Sequence, residues 1–246
     1  MYEENYGKRR AYYERRKKRR RKIIARRFLC TVLVAACIVG TGIGIKRLFT
    51  RSGGTAAFPT AKKTTAAGKL QKIEIPDFVD PQLIHVHTTA RTGIQLEDIK
   101  DIVIHYVGNP GTTAKANRNY FESLSSGETE TYASSHFIVG LEGEVIQCIP
   151  LTEIAYASNI RNEDTVAIEV CHPDETGAFS PAAYQQVVEL TAWLCRTFDL
   201  DPDTDVIRHY DVTEKLCPLY YVEHPDAWDA FRADVAAEME RQAEVS

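Results

Sequence analysis

The feature that most constrains this chain is an 18-residue run without a charge, Phe28 to Ile45, closed by Lys46-Arg47 and preceded by thirteen Lys/Arg between Lys8 and Arg27. At about 1.5 Å per helical residue, such a run covers roughly 27 Å, close to the ~30 Å hydrocarbon core of a bilayer. It reads as a single transmembrane helix. The basic block before it is far denser than the scattered Lys/Arg after it, so the positive-inside rule places the N-terminus in the cytoplasm and everything after Lys46 outside. Two alternatives stay open on the residues. A cleaved signal peptide is opposed by the long basic region and by the charge directly after the apolar run. The string Val34-Ala35-Ala36-Cys37 looks like a lipoprotein box, although apolar and small residues continue beyond it. Gly40 and Gly44 form a small-xxx-small pair of the kind that brings helices together.

Beyond Phe49 the character of the chain changes, with 15 Lys/Arg against 31 Asp/Glu, a net −16. Phosphate binding depends on clustered Lys/Arg, so this acidic portion argues against nucleic acid as its ligand. The basic tail is better explained as a topology signal and a contact for anionic lipid headgroups. The organisation that follows is a basic cytoplasmic tail over 1–27, an anchor over 28–47 and a flexible Ser/Gly/Thr/Ala/Lys linker over 48–69. An N-terminal extension containing Pro76 and Pro81 occupies 70–98, and a main domain occupies 99–246.

The main domain alternates strand and helix signals. Ile99 to Val107 is an apolar run of buried-strand type, and Asn109-Pro110-Gly111 is a turn. Lys115 to Leu124 predicts a helix ended by Ser125-Ser126-Gly127. Phe137 to Gly140 and Val145 to Ile149, joined through Gly143, predict a hairpin. Thr165 to Val170 is a further strand. Ser180-Pro181 supplies an N-cap and a proline at the first helical position, and Tyr184, Val187, Val188, Thr191, Leu194, Cys195 and Phe198 recur on one helical face. Val206-Ile207 is a short strand, and Asp226 to about Glu240 an amphipathic closing helix. The fold class is therefore mixed α/β, a central mixed β-sheet flanked by α-helices.

One short segment carries chemistry. Arg208-His209-Tyr210-Asp211-Val212-Thr213-Glu214-Lys215-Leu216-Cys217-Pro218 puts an imidazole, an ammonium and a thiol on one loop after a strand end. Zinc takes neutral imidazole and thiolate together, and a catalytic zinc site has three protein ligands with a fourth position open. His105, at the end of the first strand run, is the best third ligand, because a strand end delivers a rigid side chain to a sheet edge. Taken alone, His105 fits a core histidine and Cys217 a buried thiol. Cys148, Cys171 and Cys195 read as buried thiols in apolar patterns, with a disulfide among them left open. His85 and His87 could share a strand face and hold a metal or be solvated; His172 and His224 sit beside prolines and receive no role.

Ile102-Val103-Ile104-His105-Tyr106, Ser134-Ser135-His136-Phe137-Ile138-Val139, Val166-Ala167-Ile168-Glu169 and the segment from Arg208 to Pro218 together resemble the successive motifs of the type 2 N-acetylmuramoyl-L-alanine amidases. That superfamily also contains phage endolysins and the animal peptidoglycan recognition proteins, and the resemblance runs over roughly residues 95 to 240. It implies one zinc per chain bound by His105, His209 and Cys217, and cleavage of the amide between N-acetylmuramic acid and L-alanine of bacterial peptidoglycan.

Glu169 lies in an apolar strand run, where a carboxylate is costly unless it is paired or set at an open site; it resembles the position that some members use as general base, which is the role the resemblance implies. Some members instead use a tyrosine where this chain has Ser135, which has no phenol. Lys215 matches a lysine beside the metal and implies stabilisation of the oxyanion. His136 is implied to be at most a substrate or outer contact. The implied setting is a bacterial cell membrane, with the catalytic domain outside and facing the wall. Two alternatives remain: a non-catalytic peptidoglycan-binding module of the same fold, and a cysteine hydrolase built on a Cys217/His209 pair.

Overall fold

The computed structural model describes residues 14, 18, 73–124 and 131–245. The basic tail, the run Phe28–Ile45, the linker and the turn Ser125-Ser126-Gly127 lie outside the described residues. Among the described residues no helix is long and apolar enough to cross a membrane.

The described residues contain one six-stranded sheet, in the order β1-β4-β3-β5-β2-β6. Its strands are β1 (Val79–Pro81), β2 (Asp101–Tyr106), β3 (Phe137–Val139), β4 (Val145–Gln147), β5 (Thr165–Val170) and β6 (Val206–Arg208). β3 and β4 form the expected antiparallel hairpin, turned at Gly143 with φ +88°. The remaining pairings are parallel. A parallel strand is covered on both faces, which is why β2 and β5 read as near-continuous apolar runs. β1 was not legible as a strand: it is three residues long, ends in a proline and sits at the sheet edge, where a missing N–H is tolerated. It nevertheless pairs with β4.

Helices cover the two faces unequally. α1 (Ala114–Ser123) is capped by Thr113. α2 (Pro181–Phe198) starts as the Ser-Pro pair predicts, with the Ser180 hydroxyl accepting from the Ala183 N–H at 3.1 Å, and ends at Asp199 in the left-handed region. Three short helices follow, α3 (Pro202–Asp205), α4 (His209–Thr213) and α5 (Leu219–Glu223), before the long α6 (Pro225–Val245). Ile102, Ile104, Val166, Ile168 and Val170 form one core with Val187, Leu190 and Leu194 of α2 and with Trp228, Phe231 and Val235 of α6. Strand side chains alternate between faces, so His105 and Glu169 are turned to the opposite face. On that side a second core gathers Ala114, Phe121, Ile138, Ile146, Cys148 and Cys171.

His136 is a structural residue, within the expectation that it is at most a substrate or outer contact. It is wholly buried. Its Nδ1 accepts from the Ala167 N–H of β5 at 3.0 Å, which leaves Nε2–H to donate to the Glu153 carbonyl at 3.0 Å. Both nitrogens are satisfied only in the neutral ring, and burial lowers its pKa from 6.5 to about 4. Between those values the unfolded chain holds a proton that the folded chain refuses, so this contribution is complete above pH 6.5 and is lost as pH falls towards 4. The full contribution is about 3 kcal/mol. NMR titration of the folded chain should show the His136 ring neutral to near pH 4, and titration near 6.5 would overturn the assignment.

Candidate metal centre

β2 and β5 pair in a register that sets His105 opposite Glu169 near the ends of the two strands. The pair therefore shares one face and one end of the sheet. β6 lies on the other side of β2, with Arg208 opposite Ile104, and delivers His209 as the first residue of α4. The segment from His209 was expected to be a loop, but its first turn is helical. The reason is local: the Arg208 N–H donates to the Asp211 carboxylate at 2.9 Å, and the Arg208 guanidinium reaches Asp211 and the Tyr221 carbonyl. The Asp211 carboxylate, accepting from both the backbone and the guanidinium of Arg208, stabilises a single turn that propensity alone would not hold.

After α4, Glu214 at φ +66° reverses the chain, and the Tyr210 N–H bonds to the Cys217 carbonyl at 2.9 Å, closing the loop. Cys217 thus returns beside His105, with Sγ 3.8 Å from Nδ1. His105, His209 and Cys217 are all buried, and their ligand atoms lie within 4.8 Å of one another. The His105 and His209 ring centroids are 4.6 Å apart. Glu169 Oε1 lies 3.9 Å from His105 Nδ1, and Lys215 is on the exposed part of the loop. Every site residue expected from the sequence is thereby gathered at one end of the sheet.

Burial dominates the electrostatics. It lowers the His105 pKa well below 6.5, aided by the charges of His209 and Lys215, and takes His209 down to about 4, again aided by Lys215. Both rings are therefore neutral, the form in which imidazole binds a metal. Burial pushes the Cys217 thiol up to about 12, against a hydrogen bond from the Tyr106 backbone and the charge of Lys215. A metal cation bound to it would make that sulfur a thiolate at neutral pH. Glu169 is raised to about 8 by burial, with Lys215 pulling it down, and its Oε2 is buried without a hydrogen-bond partner.

These residues fit zinc. In a tetrahedral site with Zn–S of ~2.3 Å and Zn–N of ~2.0–2.1 Å, sulfur and nitrogen stand roughly 3.5–3.6 Å apart, close to the 3.8 Å between Cys217 and His105. His209 Nδ1 is buried with no hydrogen-bond partner, as a nitrogen reserved for a metal would be. Among the described residues no other group of His, Cys, Asp or Glu has metal-holding geometry.

The other candidates fall away. Ser135 is buried, its hydroxyl donating to the Phe137 carbonyl at 2.9 Å. His85 pairs with Glu122 at 2.8 Å while His87 Nδ1 meets Thr89, so the two do not act together. His172 packs at a tilt against Tyr106, and His224 against Tyr220. Cys148, Cys171 and Cys195 are free and buried, and burial raises the first two thiols to about 12. Sequence reasoning missed Ser158 and Asn159, which come from a 3-10 turn, Asn159–Arg161, and face the two histidines. Their stretch is polar and without periodicity, so no signal pointed to them.

The family model described as N-acetylmuramoyl-L-alanine amidase matches residues 95–219. The chain belongs to this amidase family. Among curated relatives, it is 32% identical over 176 residues to N-acetylmuramoyl-L-alanine amidase BlyA of Bacillus subtilis (strain 168), covering 63% of this chain and 46% of that one. To N-acetylmuramoyl-L-alanine amidase CwlL of Bacillus licheniformis it is 29% identical over 164 residues, covering 62% and 45%. It thus spans less than half the length of these relatives. The fold also resembles a mutant endolysin from Bacillus subtilis, with a TM-score of 0.54 at 23% identity, covering 64% of this chain and 97% of that one. The family's matched segment contains β2 to α4 and all five candidate site residues.

Proposed function

We propose that this chain is a zinc-dependent N-acetylmuramoyl-L-alanine amidase that hydrolyses the amide between N-acetylmuramic acid and L-alanine in bacterial peptidoglycan. The observation that carries the reading is the convergence of His105, His209 and Cys217 within 4.8 Å, beside Glu169 and inside the segment that matches the amidase family. One zinc per chain would be held by those three residues, polarising the scissile carbonyl and acidifying a water.

The residues divide the remaining work. Glu169 takes a proton from the attacking water and passes it to the leaving alanine nitrogen. Its carboxyl, held up near 8 by burial and down by Lys215, sits where a nearby positive charge returns it to the basic form at neutral pH. The Lys215 ammonium faces the tetrahedral oxyanion from the exposed loop. Cys217 is committed as a ligand, so a cysteine-hydrolase pairing with His209 leaves His105 and Glu169 without a purpose. The test is chemical. Purified walls incubated with the full-length chain should release L-alanine amino termini without new reducing sugar ends, and a chelator should stop the release. Reducing ends without alanine amines would exclude an amidase, and wall binding without either product would favour the non-catalytic module.

The same proposal includes location. Phe28–Ile45 anchors the chain once in a bacterial membrane, with the basic tail on the cytoplasmic side and contacting lipid, and with the catalytic domain tethered outside by residues 48–69, facing the wall. The supporting observation is the asymmetry of Lys/Arg about the uncharged run. A reporter fused after Ser246 should be active only outside the cytoplasm, with the chain membrane-bound and free of lipid label. A fragment beginning at a lipidated Cys37 would replace the anchor with a lipoprotein.

A further inference from the structure

Each imidazole of the centre has two ring nitrogens, and the group that meets one of them decides which is left for a metal. For His105, Nδ1 faces Cys217 Sγ at 3.8 Å and Glu169 Oε1 at 3.9 Å, while Nε2 faces the Ser158 hydroxyl at 3.5 Å. For His209, Nδ1 is buried without a partner, while Nε2 faces Asn159 Oδ1 at 3.4 Å. Both rings therefore turn Nδ1 inward and Nε2 towards two consecutive residues of one turn. Asn159 Oδ1 can only accept, which requires a proton on His209 Nε2. The Ser158 hydroxyl can accept or donate, so it accommodates the same Nε2-protonated form at His105 that Asn159 requires of His209.

The turn is built to hold its place. Asn162 Oδ1 accepts from the Ala157 and Ser158 N–H groups at 3.2 and 2.7 Å. Arg161 is wholly buried, ion-paired with Asp101 and, at 2.6 Å, with Asp164. Thr165 Oγ1 donates to the Arg161 carbonyl at 2.7 Å. Asp101 and Thr165 are the first residues of β2 and β5, so the turn is braced at one end of the two strands whose other end carries His105 and Glu169. Asn159 itself has φ +50°, a left-handed conformation that asparagine tolerates better than most residues. An uncommon backbone state beside a candidate site, over-determined by its surroundings, fits a positional demand on the side chain.

We propose that Ser158 and Asn159 are positioning residues that hold the rings of His105 and His209 as Nε2-protonated tautomers, with both Nδ1 lone pairs directed at the zinc. The inference rests on the zinc reading above and goes beyond the three ligands to the pair that orients two of them.

Substitutions at Asn159 separate its acceptor from its backbone role. Asn159→Gly adopts φ +50° freely but has no acceptor, so a purely structural residue would tolerate it. Asn159→Asp keeps an acceptor and a tolerance for that backbone. The full-length chain, with histidine selectively labelled with 15N, is loaded with zinc and examined by NMR. Its zinc affinity is measured by chelator competition. Both His105 and His209 should show a metal-bound Nδ1 and a protonated Nε2. Loss of outer partners of this kind typically weakens binding 10- to 100-fold, the range expected for Ser158→Ala combined with Asn159→Gly, whereas Ser158→Thr and Asn159→Asp should bind as well as the parent chain. Metal on Nε2 of either ring, or unchanged zinc affinity in the Ser158→Ala, Asn159→Gly chain, would overturn the proposal while leaving the zinc amidase reading standing. A parent chain that binds no zinc would overturn both.

Discussion

Cys217→Ser and His105→Ala should each abolish stoichiometric zinc in the full-length chain, and with it wall hydrolysis. A serine hydroxyl replaces a soft thiolate with a poor ligand for zinc, and alanine at 105 leaves two ligands where three are needed. The loss extends beyond activity. Cys217 and His105 are 2% and 1% exposed, so a zinc held by them would sit in the folded interior and bind the native chain in preference to the unfolded one. Saturating metal then adds RT ln(1 + [L]/Kd) to stability, ~4 kcal/mol at a thousandfold excess over Kd. The parent chain should therefore melt at a lower temperature in chelator, and Cys217→Ser should show no such shift. Elemental analysis giving one zinc per Cys217→Ser or His105→Ala chain would remove the ligand assignment.

Glu169→Gln should leave zinc in place and slow turnover by about 10² to 10⁴, the usual contribution of a general acid or base. The substitution conserves shape, and Glu169 Oε2 has no hydrogen-bond partner to lose, so the fold is not endangered. The amide cannot accept a proton from the attacking water. Ser135→Ala offers the contrast. Its hydroxyl is spent on the Phe137 carbonyl, so the substitution should lower stability by about 1 kcal/mol with little effect on turnover. A fully active, zinc-loaded Glu169→Gln chain would move the base elsewhere.

What could be read from the residues, and what could not, follows from where the decisive interactions lie. Thr165–Val170 was legible to the residue because a strand covered on both faces is mostly apolar, and its one charged residue, Glu169, stood out as a candidate for the site. The start of α2 was legible because Ser180 and Pro181 act within a few positions of themselves. His105, His209 and Cys217 were readable as candidate ligands because an imidazole and a thiol share one short segment after a strand end and a second imidazole closes a neighbouring strand run; the structure brings the three together. The structural role of His136 was not legible because its two partners, the Ala167 N–H and the Glu153 carbonyl, are backbone groups far along the chain, which no side-chain pattern records. The buried Arg161 with Asp101 and Asp164 was invisible for a similar reason. Charged residues at 101, 161 and 164 look solvated until a sheet brings them together. α4 escaped because one helical turn has no periodicity to detect.

The two outermost ligands, His105 and Cys217, are separated by 112 positions, and the second arrives only after β6 has docked on β2. A growing or refolding chain thus possesses a single imidazole of the centre until its last strand is in place. Contacts of such long sequence separation form late. On the proposed zinc reading, metal capture would be a checkpoint on assembly: a chain truncated or misregistered before Cys217 would gain nothing from the ion, and the finished sheet alone would be rewarded with it. Scarce zinc would accordingly lower the yield of complete molecules before it lowered the speed of any one of them.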